Sequence, residues 1–217
     1  HGQGGTLIQH KKEHLLHTNI KPKDRVFYYS TCSWMMWHWL VSSLSCEATI
    51  MLWEGSPTFP DNDALWRYAE KQKINVFGTS AAYITNQKNL GVQPKLTHDL
   101  KHMNILLSTG SPLSDTSFRY VYENISSNLQ LSSIAGGTDL ISCFALGNPM
   151  LPVYAGEIQC IGLGMDVVIL SNEKEANINQ KGELACRSPF PSRPIGFWND
   201  SDDKLYLSSY FDKLPNT

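Results

Sequence analysis

The first 130 or so residues alternate between short strand-like runs and helix-like segments, and this alternation constrains the fold more than any other feature. The apolar, β-prone runs are Arg25–Tyr29, Ala48–Trp53, Ile74–Phe77, Met103–Ser108 and Leu129–Ser133. Helix-like segments lie between most of them, and the connections are short. This order is typical of βαβ units, because parallel strands need a crossover segment. We therefore predict an α/β fold with a mainly parallel sheet flanked by helices.

The pattern changes after Leu140. Three strand-like runs follow without helices between them: Gly156–Cys160, Met165–Leu170 and Gly182–Cys186. Turn-rich stretches separate these runs. We therefore predict two units: an α/β subdomain over residues 1–140 and a smaller β-rich subdomain over residues 141–217.

The N-terminal segment has the periodicity of an amphipathic helix. Its apolar face would hold Leu7, Ile8, Leu15 and Leu16. Another face would hold three histidines at i, i+4 and i+7, which are His10, His14 and His17. Such spacing could bind a metal ion, but Lys11, Lys12 and Glu13 lie among the histidines. We therefore expect this to be a solvated face rather than a metal site.

Composition excludes several classes of protein. The net charge of the 217 residues is −2, and no basic stripe exists that could displace counterions from a nucleic acid. No apolar run approaches the roughly 20 residues that span a bilayer. Five widely spaced cysteines without a Cys-x-x-Cys pair predict reduced thiols in a cytoplasmic protein. We expect small-molecule substrates, and the sequence does not indicate an oligomeric state.

Two turns follow strand-like runs and carry residues suited to ligand binding. Ser108–Ser114 contains a glycine that would let a flat ligand approach the backbone at the end of a strand. Ser133–Asp139 contains two glycines, a hydroxyl for phosphate and a carboxylate for Mg²⁺. Ordinary turns explain both segments as well, with Ser114 capping a helix and Asp139 making an Asx-type bond. The ligand hypothesis requires both turns to converge on one nucleotide-sized hollow.

The Trp-rich segment Ser33–Trp39 is open to two interpretations. Its methionine and tryptophan side chains could form the wall of a small-molecule pocket, or they could simply pack in the core.

Taken in order, these segments resemble the interior of the acyl-CoA synthetases of the adenylate-forming superfamily. The resemblance covers nearly the whole chain, and its most specific stretches are Ile134–Leu140 and Gly182–Trp198. The second stretch contains a segment similar to one in acetoacetyl-CoA synthetases, Pro-Phe-Pro-Ser-Arg-Pro-Ile-Gly-Phe-Trp. Leu151–Gln159 adds to the likeness. The resemblance implies ATP and CoA as co-substrates, Mg²⁺ as cofactor and a two-step, AMP-forming ligation of acetoacetate to CoA.

The resemblance also assigns roles to residues at the nucleotide site. Gly110, Ser111 and Pro112 match the loop that lies against adenine, although related short-chain synthetases often have Glu in place of Ser111. Gly137 and Thr138 match the segment that contacts the phosphate of ATP or of the adenylate. Asp139 matches the acidic residue that holds Mg²⁺, so Thr138 and Asp139 are the implied catalytic pair.

A further set of residues is implied to form the acyl pocket. Met35, Met36 and Thr109 match pocket-wall positions. Gly136 matches the position of a tryptophan that closes the pocket of acetyl-CoA synthetases. A hydrogen in place of an indole predicts room for a longer acid.

The resemblance further implies that the chain is a fragment and is inactive alone. The phosphate loop would precede His1, while the ribose-binding Asp, the hinge and the C-terminal domain would follow Thr217. Two alternatives remain open: a nucleotide- or acyl-binding module without catalysis, and a synthetase for a different short-chain acid. An unrelated α/β hydrolase or oxidoreductase is disfavoured, because no Gly-x-Ser-x-Gly elbow exists and Gly162-Leu-Gly164 lacks the third glycine of a dinucleotide fingerprint.

Overall fold

A five-stranded parallel sheet forms the centre of the molecule. The computed structural model describes residues 1–172 and 174–212. The strands are β1 (Arg25–Tyr28), β2 (Thr49–Met51), β3 (Val76–Ser80), β4 (Ile105–Thr109) and β5 (Gln130–Ser133). Their order is β2-β1-β3-β4-β5, and every neighbouring pair is parallel. The predicted α/β fold with a mainly parallel sheet is confirmed.

Helices cover both faces of this sheet. The α-helices of the described residues are α1 (Gln3–Lys12), α2 (Met35–Ser42), α3 (Ala64–Gln72), α4 (Ala81–Asn89), α5 (Pro94–Thr97), α6 (Asp115–Tyr120) and α7 (Lys204–Tyr210), of which α7 contacts neither core of the sheet. A π-helical turn, Glu13–His17, continues α1, and another, Val121–Ile125, continues α6. A 3₁₀ turn, Ser43–Cys46, continues α2.

Side-chain alternation along the strands produces two hydrophobic cores. In β1, Phe27 joins a core that includes Trp66 of α3 and Ile84 of α4. Its neighbours Val26 and Tyr28 face the other way and pack with Trp39 of α2. Successive residues of a strand point to opposite faces, so a strand covered on both sides must be apolar throughout.

Beyond the parallel sheet the chain forms two small antiparallel sheets. The first contains β6 (Ala135–Gly137), β7 (Ser142–Leu146) and β8 (Cys160–Ile161), in that order. The second has the order β10-β9-β11, formed by β10 (Lys174–Glu175), β9 (Val167–Ser171) and β11 (Glu183–Cys186). The first sheet shares the α2 core, because Cys143 and Leu146 pack there.

The N-terminal helix buries its polar face, whereas the sequence predicted burial of its apolar face. Its apolar residues are exposed by 40 to 65%: Leu7, Ile8, Leu15 and Leu16. Its polar residues are buried to within 2%: Gln9, His10, Glu13, His14 and His17. The histidine face is therefore packed against the protein, and the expectation of a solvated face was wrong. The reason is that α2, β7 and the following loops offer polar partners to this face. His10, for example, bonds to Ser42 Oγ (2.8 Å) and to the Ile141 carbonyl (2.6 Å).

Candidate functional site

The two ligand-type turns begin side by side because β4 and β5 are neighbouring parallel strands. Ser108 of β4 pairs with Ser133 of β5. The Ile134 amide donates to the Ser108 carbonyl at 2.9 Å. The Thr109 hydroxyl donates to the Ile134 carbonyl at 3.0 Å. Both turns therefore leave the sheet at its carboxyl edge, where ligands bind in open α/β sheets.

Between these turns lies a cavity of about 220 Å³, which we call the edge cavity. Its lining comprises Trp34, Met35, Met36, Thr109, Gly110, Ile134, Gly136, Gly137, Thr138, Ser142 and Cys143. The structure thus brings together both turns and the Trp-rich segment. The cavity is smaller than the roughly 300–1,000 Å³ of drug-sized ligand sites. It is suited to a small acid and is not the nucleotide-sized hollow that was expected.

The Trp-rich segment contributes both to the core and to the lining of the edge cavity. Met36 and Trp39 are buried in the α2 core, at 1% and 0% exposure. Trp34, Met35 and Met36 also line the edge cavity. The N-terminal end of α2 is therefore a cavity wall, whereas its second turn is core.

Of the three predicted adenine-loop residues, only Gly110 lines the edge cavity. Gly110 has φ +88°, a left-handed conformation that favours glycine. Ser111 and Pro112 are exposed on the outer side of the turn. Leu113, which is 4% exposed, anchors the turn in the core, and Ser114 caps α6 by accepting from the Ser117 amide.

Asp139 lies on a different hollow from Thr138. It borders a second cavity of about 510 Å³, formed with residues 184–190, Arg193, Pro194 and the aromatic side chains of α7. The Tyr210 hydroxyl of α7 donates to Asp139 Oδ1 at 3.0 Å. Partial burial, together with this bond to Asp139, raises the pKa of Tyr210 to about 12. Thr138 lines the edge cavity and Asp139 lines the second cavity, so this exposed pair lies between the two cavities.

The oxygen donors at this point suit Mg²⁺. Mg²⁺ is a hard cation that binds through one or two carboxylates and keeps waters and substrate phosphates as its other ligands. Asp139 has an exposed carboxylate, and its chain neighbour Thr138, which carries a hydroxyl, is also exposed. Within residues 1–172 and 174–212, no group of three or more His, Cys, Asp or Glu side chains is placed to hold a metal ion, so Mg²⁺ here would take its other ligands from water and phosphate.

Two cavity-lining residues lie outside every segment that the sequence indicated: Ser142 and Cys143. Ser142 and Cys143 reach the cavity because β7 pairs with β6, with Gly137 opposite Ser142 and Gly136 opposite Cys143. A hairpin prediction that placed a turn over 138–141 would have found them. Burial, followed by the nearby Glu13, raises the pKa of the Cys143 thiol, so it stays protonated at neutral pH.

No helix in the described part of the chain has the length and apolar character needed to cross a bilayer.

Comparison with known proteins gives one consistent family. The profile of the AMP-binding enzyme family matches residues 5–194. The acetoacetyl-coenzyme A synthetase of Rhizobium meliloti (strain 1021) is 49% identical over 216 residues, which are 100% of this chain and 33% of that protein. The acetoacetyl-CoA synthetase of Gallus gallus is 44% identical over 99% of this chain and 32% of its own length.

A solved structure agrees. The acetoacetyl-CoA synthetase from Streptomyces lividans superposes with a TM-score of 0.93 at 43% identity, over 99% of this chain and 34% of that chain. This chain therefore spans about a third of the length of the curated relatives that it matches.

Proposed function

The chain belongs to the AMP-binding enzyme family, and from this premise we propose that the whole protein is an ATP-dependent, AMP-forming ligase that joins acetoacetate to CoA. The relatives named above, which are acetoacetyl-CoA synthetases, support this choice of substrate. The observation that carries the proposal is the edge cavity of about 220 Å³, which holds Met35, Met36, Thr109 and Gly136 and reaches Thr138.

The reaction has two steps. A carboxylate oxygen of acetoacetate attacks the α-phosphorus of ATP, the bond to the β-phosphate oxygen breaks, and pyrophosphate leaves. The sulfur of CoA then attacks the acyl carbon of the adenylate, the thiol proton is released and AMP leaves. Both steps depend on positioning and on stabilising charge more than on a protein nucleophile.

Different residues of the chain would position the substrates and stabilise the charge. Gly110, with Ser111 and Pro112 outside the edge cavity, would hold the adenine. Gly137 and Thr138 would bind the α-phosphate through the backbone amide and the hydroxyl, since neither carries a larger side chain to block the approach. Asp139 would hold Mg²⁺, which when bound supplies positive charge to the phosphate oxygens.

The acyl group would occupy the edge cavity. Its methionine wall is apolar and adaptable, which suits a short carbon chain. The Thr109 hydroxyl already donates to the Ile134 carbonyl, so it is not free to donate to the substrate. The carboxylate of the acid would then face outward, toward Thr138 and the nucleotide.

Two broader expectations belong to the same proposal. We place the two subdomains at residues 1–140 and 141–217. The parallel strands end at Ser133, and the pairing of β6 with β7 joins the two subdomains across this boundary. We also propose a cytoplasmic protein with small-molecule partners. The five cysteines, none of which is in a disulfide, are compatible with a reducing compartment.

The experiment measures pyrophosphate release by the full-length protein with ATP, Mg²⁺ and CoA. We expect acetoacetate to give a higher kcat/KM than acetate, butyrate or hexanoate, with acetoacetyl-CoA and AMP as products. A higher kcat/KM for another acid would identify a different short-chain synthetase. ATP binding without pyrophosphate release with any of these acids would indicate a binding module and refute the ligase.

A further inference from the structure

A buried carboxylate lies behind the edge cavity and contacts both of its walls. Glu13 is 0% exposed, and it occupies the first position of the π-helical turn after α1. Its Oε2 accepts from Trp39 Nε1 at 3.0 Å. Its Oε1 accepts from the Cys143 amide at 3.2 Å and from the Ser142 hydroxyl. These donors come from α2 on one side and from β7 on the other.

Further groups compensate the cost of burying this charge. Gln9 Nε2 donates to Glu13 Oε1 at 3.1 Å and to Ser142 Oγ at 2.8 Å. Lys12 Nζ lies 3.8 Å from the same carboxylate oxygen. A buried ion of this kind seldom adds stability compared with apolar packing, but it holds its partners in one arrangement when its bonds are satisfied.

The partners of Glu13 belong to the elements that form the cavity. Trp39 follows Met35 by four residues and Met36 by three, so the three side chains share a face of α2. Ser142 and Cys143 line the cavity from β7. The carboxylate therefore links the methionine wall to the β7 wall, without itself lining the cavity.

We infer that Glu13 is a positioning residue that sets the distance between these two walls and thereby the length of acid that the edge cavity accepts. This inference rests on the proposed acyl-CoA ligase function. It concerns the choice of acid only, since Glu13 contacts neither the 110–112 turn nor Asp139 in the described structure.

Replacing Glu13 with glutamine tests whether both side-chain oxygens must act as hydrogen-bond acceptors. The glutamine side chain has nearly the same size, but its amide has one acceptor oxygen and one NH₂ group. The NH₂ group would face either the indole N–H of Trp39 or the donors of β7. A donor facing a donor pushes the groups apart, so one wall moves away from the other.

The test uses the full-length protein and the pyrophosphate-release assay with acetoacetate, butyrate and hexanoate. For Glu13→Gln we expect the kcat/KM for acetoacetate to fall about tenfold or more, because small misplacements of bound groups have effects of that size. We expect the hexanoate-to-acetoacetate ratio of kcat/KM to rise about fivefold, while the KM for ATP changes less than about twofold, since the adenine turn is untouched. Ile84→Val, in the core on the opposite face of the sheet, is the matched control for stability, and it should leave the acid ratio unchanged.

Trp39→Phe provides a second measurement, because it removes the α2 donor and leaves the β7 donors of Glu13 in place. It also removes indole volume from the α2 core, so it is compared in the double variant. It should shift the acid ratio in the same direction, and the double variant should shift it no further than Glu13→Gln alone. The inference is overturned if the acid ratio stays constant in Trp39→Phe and in any folded Glu13→Gln protein, even where overall activity falls. Absence of acid-dependent pyrophosphate release in the unmodified protein would instead overturn the proposed function, and this inference with it.

Discussion

Gly136 lies in β6 directly opposite Cys143 of β7. A hydrogen in place of an indole predicts empty space at this position. In the structure, a Cβ at this position would lie 2.2 Å from the Ser142 carbonyl oxygen and 2.9 Å from Cys143 Cα. Any side chain would therefore collide with the neighbouring strand. Only glycine therefore permits this close pairing of β6 with β7, and Gly136 lines the edge cavity with its backbone alone.

Gly136→Ala should therefore destabilise the fold by about 1–3 kcal/mol, the usual range for overpacking a rigid site. Gly137→Ala is the matched control, because its Cβ would meet only a Leu140 methyl group at 3.7 Å. Urea denaturation of the chain measures both free energies of unfolding. Equal stability of the two variants would show that the strands separate easily at this point.

His14 is a second residue whose environment has a measurable consequence. It is fully buried against Trp39, with ring centroids 4.1 Å apart. Burial, followed by the repulsion of His10, lowers the pKa of His14 to about 3. Burial also lowers the pKa values of His10 and His17.

These histidines should make the fold sensitive to acid. In the unfolded chain a histidine has a pKa of about 6.5, so it binds a proton below that pH, whereas the folded His14 does not. The free energy of unfolding is therefore highest above about pH 6.5 and decreases as the pH falls below it. Between pH 7 and pH 5 we expect His14 alone to remove about 2 kcal/mol of stability. His14→Phe should flatten this part of the pH profile, whereas a change at the exposed His38, such as His38→Gln, should not. Urea denaturation at pH 5 and pH 7 provides the comparison.

At the scale of elements, α6 supports the turn that is proposed to hold adenine. The helix begins directly after the turn, and the Ser114 side chain accepts from the Ser117 amide at 3.3 Å. The same hydroxyl donates to Ser117 Oγ at 2.9 Å. The end of the turn is thus tied to the first turn of α6.

Loss of this cap should loosen the turn as well as the helix. We expect Ser114→Ala to lower the free energy of unfolding by about 1 kcal/mol, the typical effect at an N-cap. Ser114→Asp should retain most of the stability, because aspartate also caps and its charge is favourable at a helix N-terminus. Thermal unfolding compares the two variants. Equal unfolding temperatures for the two variants would show that the N-cap hydrogen bond does not stabilise α6.

At the scale of the whole molecule, α7 reaches back to the proposed metal ligand. Tyr210 lies 71 residues beyond Asp139, and their side chains are joined by a hydrogen bond. Tyr210 packs among Phe197, Tyr206 and Phe211, which fix its position. An exposed carboxylate that receives such a bond is held in one orientation.

Tyr210→Phe should therefore raise the Mg²⁺ concentration needed for half-maximal pyrophosphate release by about tenfold, as is typical when a partner of a metal ligand is removed. Tyr206→Phe is the control from the same helix, since the Tyr206 hydroxyl bonds to Pro194 and Arg193 instead. A titration of full-length protein with MgCl₂ makes the comparison. An unchanged midpoint in Tyr210→Phe would mean that Asp139 does not hold the ion.

The sequence by itself determined the parallel sheet and the position of its ligand-type turns. Strand runs such as Arg25–Tyr29 are apolar because both faces of the sheet are covered, and this requirement is local enough to see in the sequence. The carboxyl ends of β4 and β5 had to lie together once the strands were parallel neighbours. The roles of Thr138, Asp139 and the acyl-pocket residues stay predictions, which rest on the family and on this placement.

Only the tertiary structure decided which face of α1 is buried and what lies opposite Gly136. Apolar periodicity predicts burial on the assumption that the partner surface is apolar. Here the partners of α1 are polar groups from α2, β7 and distant loops, so Glu13 and three histidines are buried while four apolar side chains are exposed. Burial is a property of two surfaces that meet. The second surface is formed here by α2, 26 to 32 residues away in the sequence, and by residues 130 or 131 positions away.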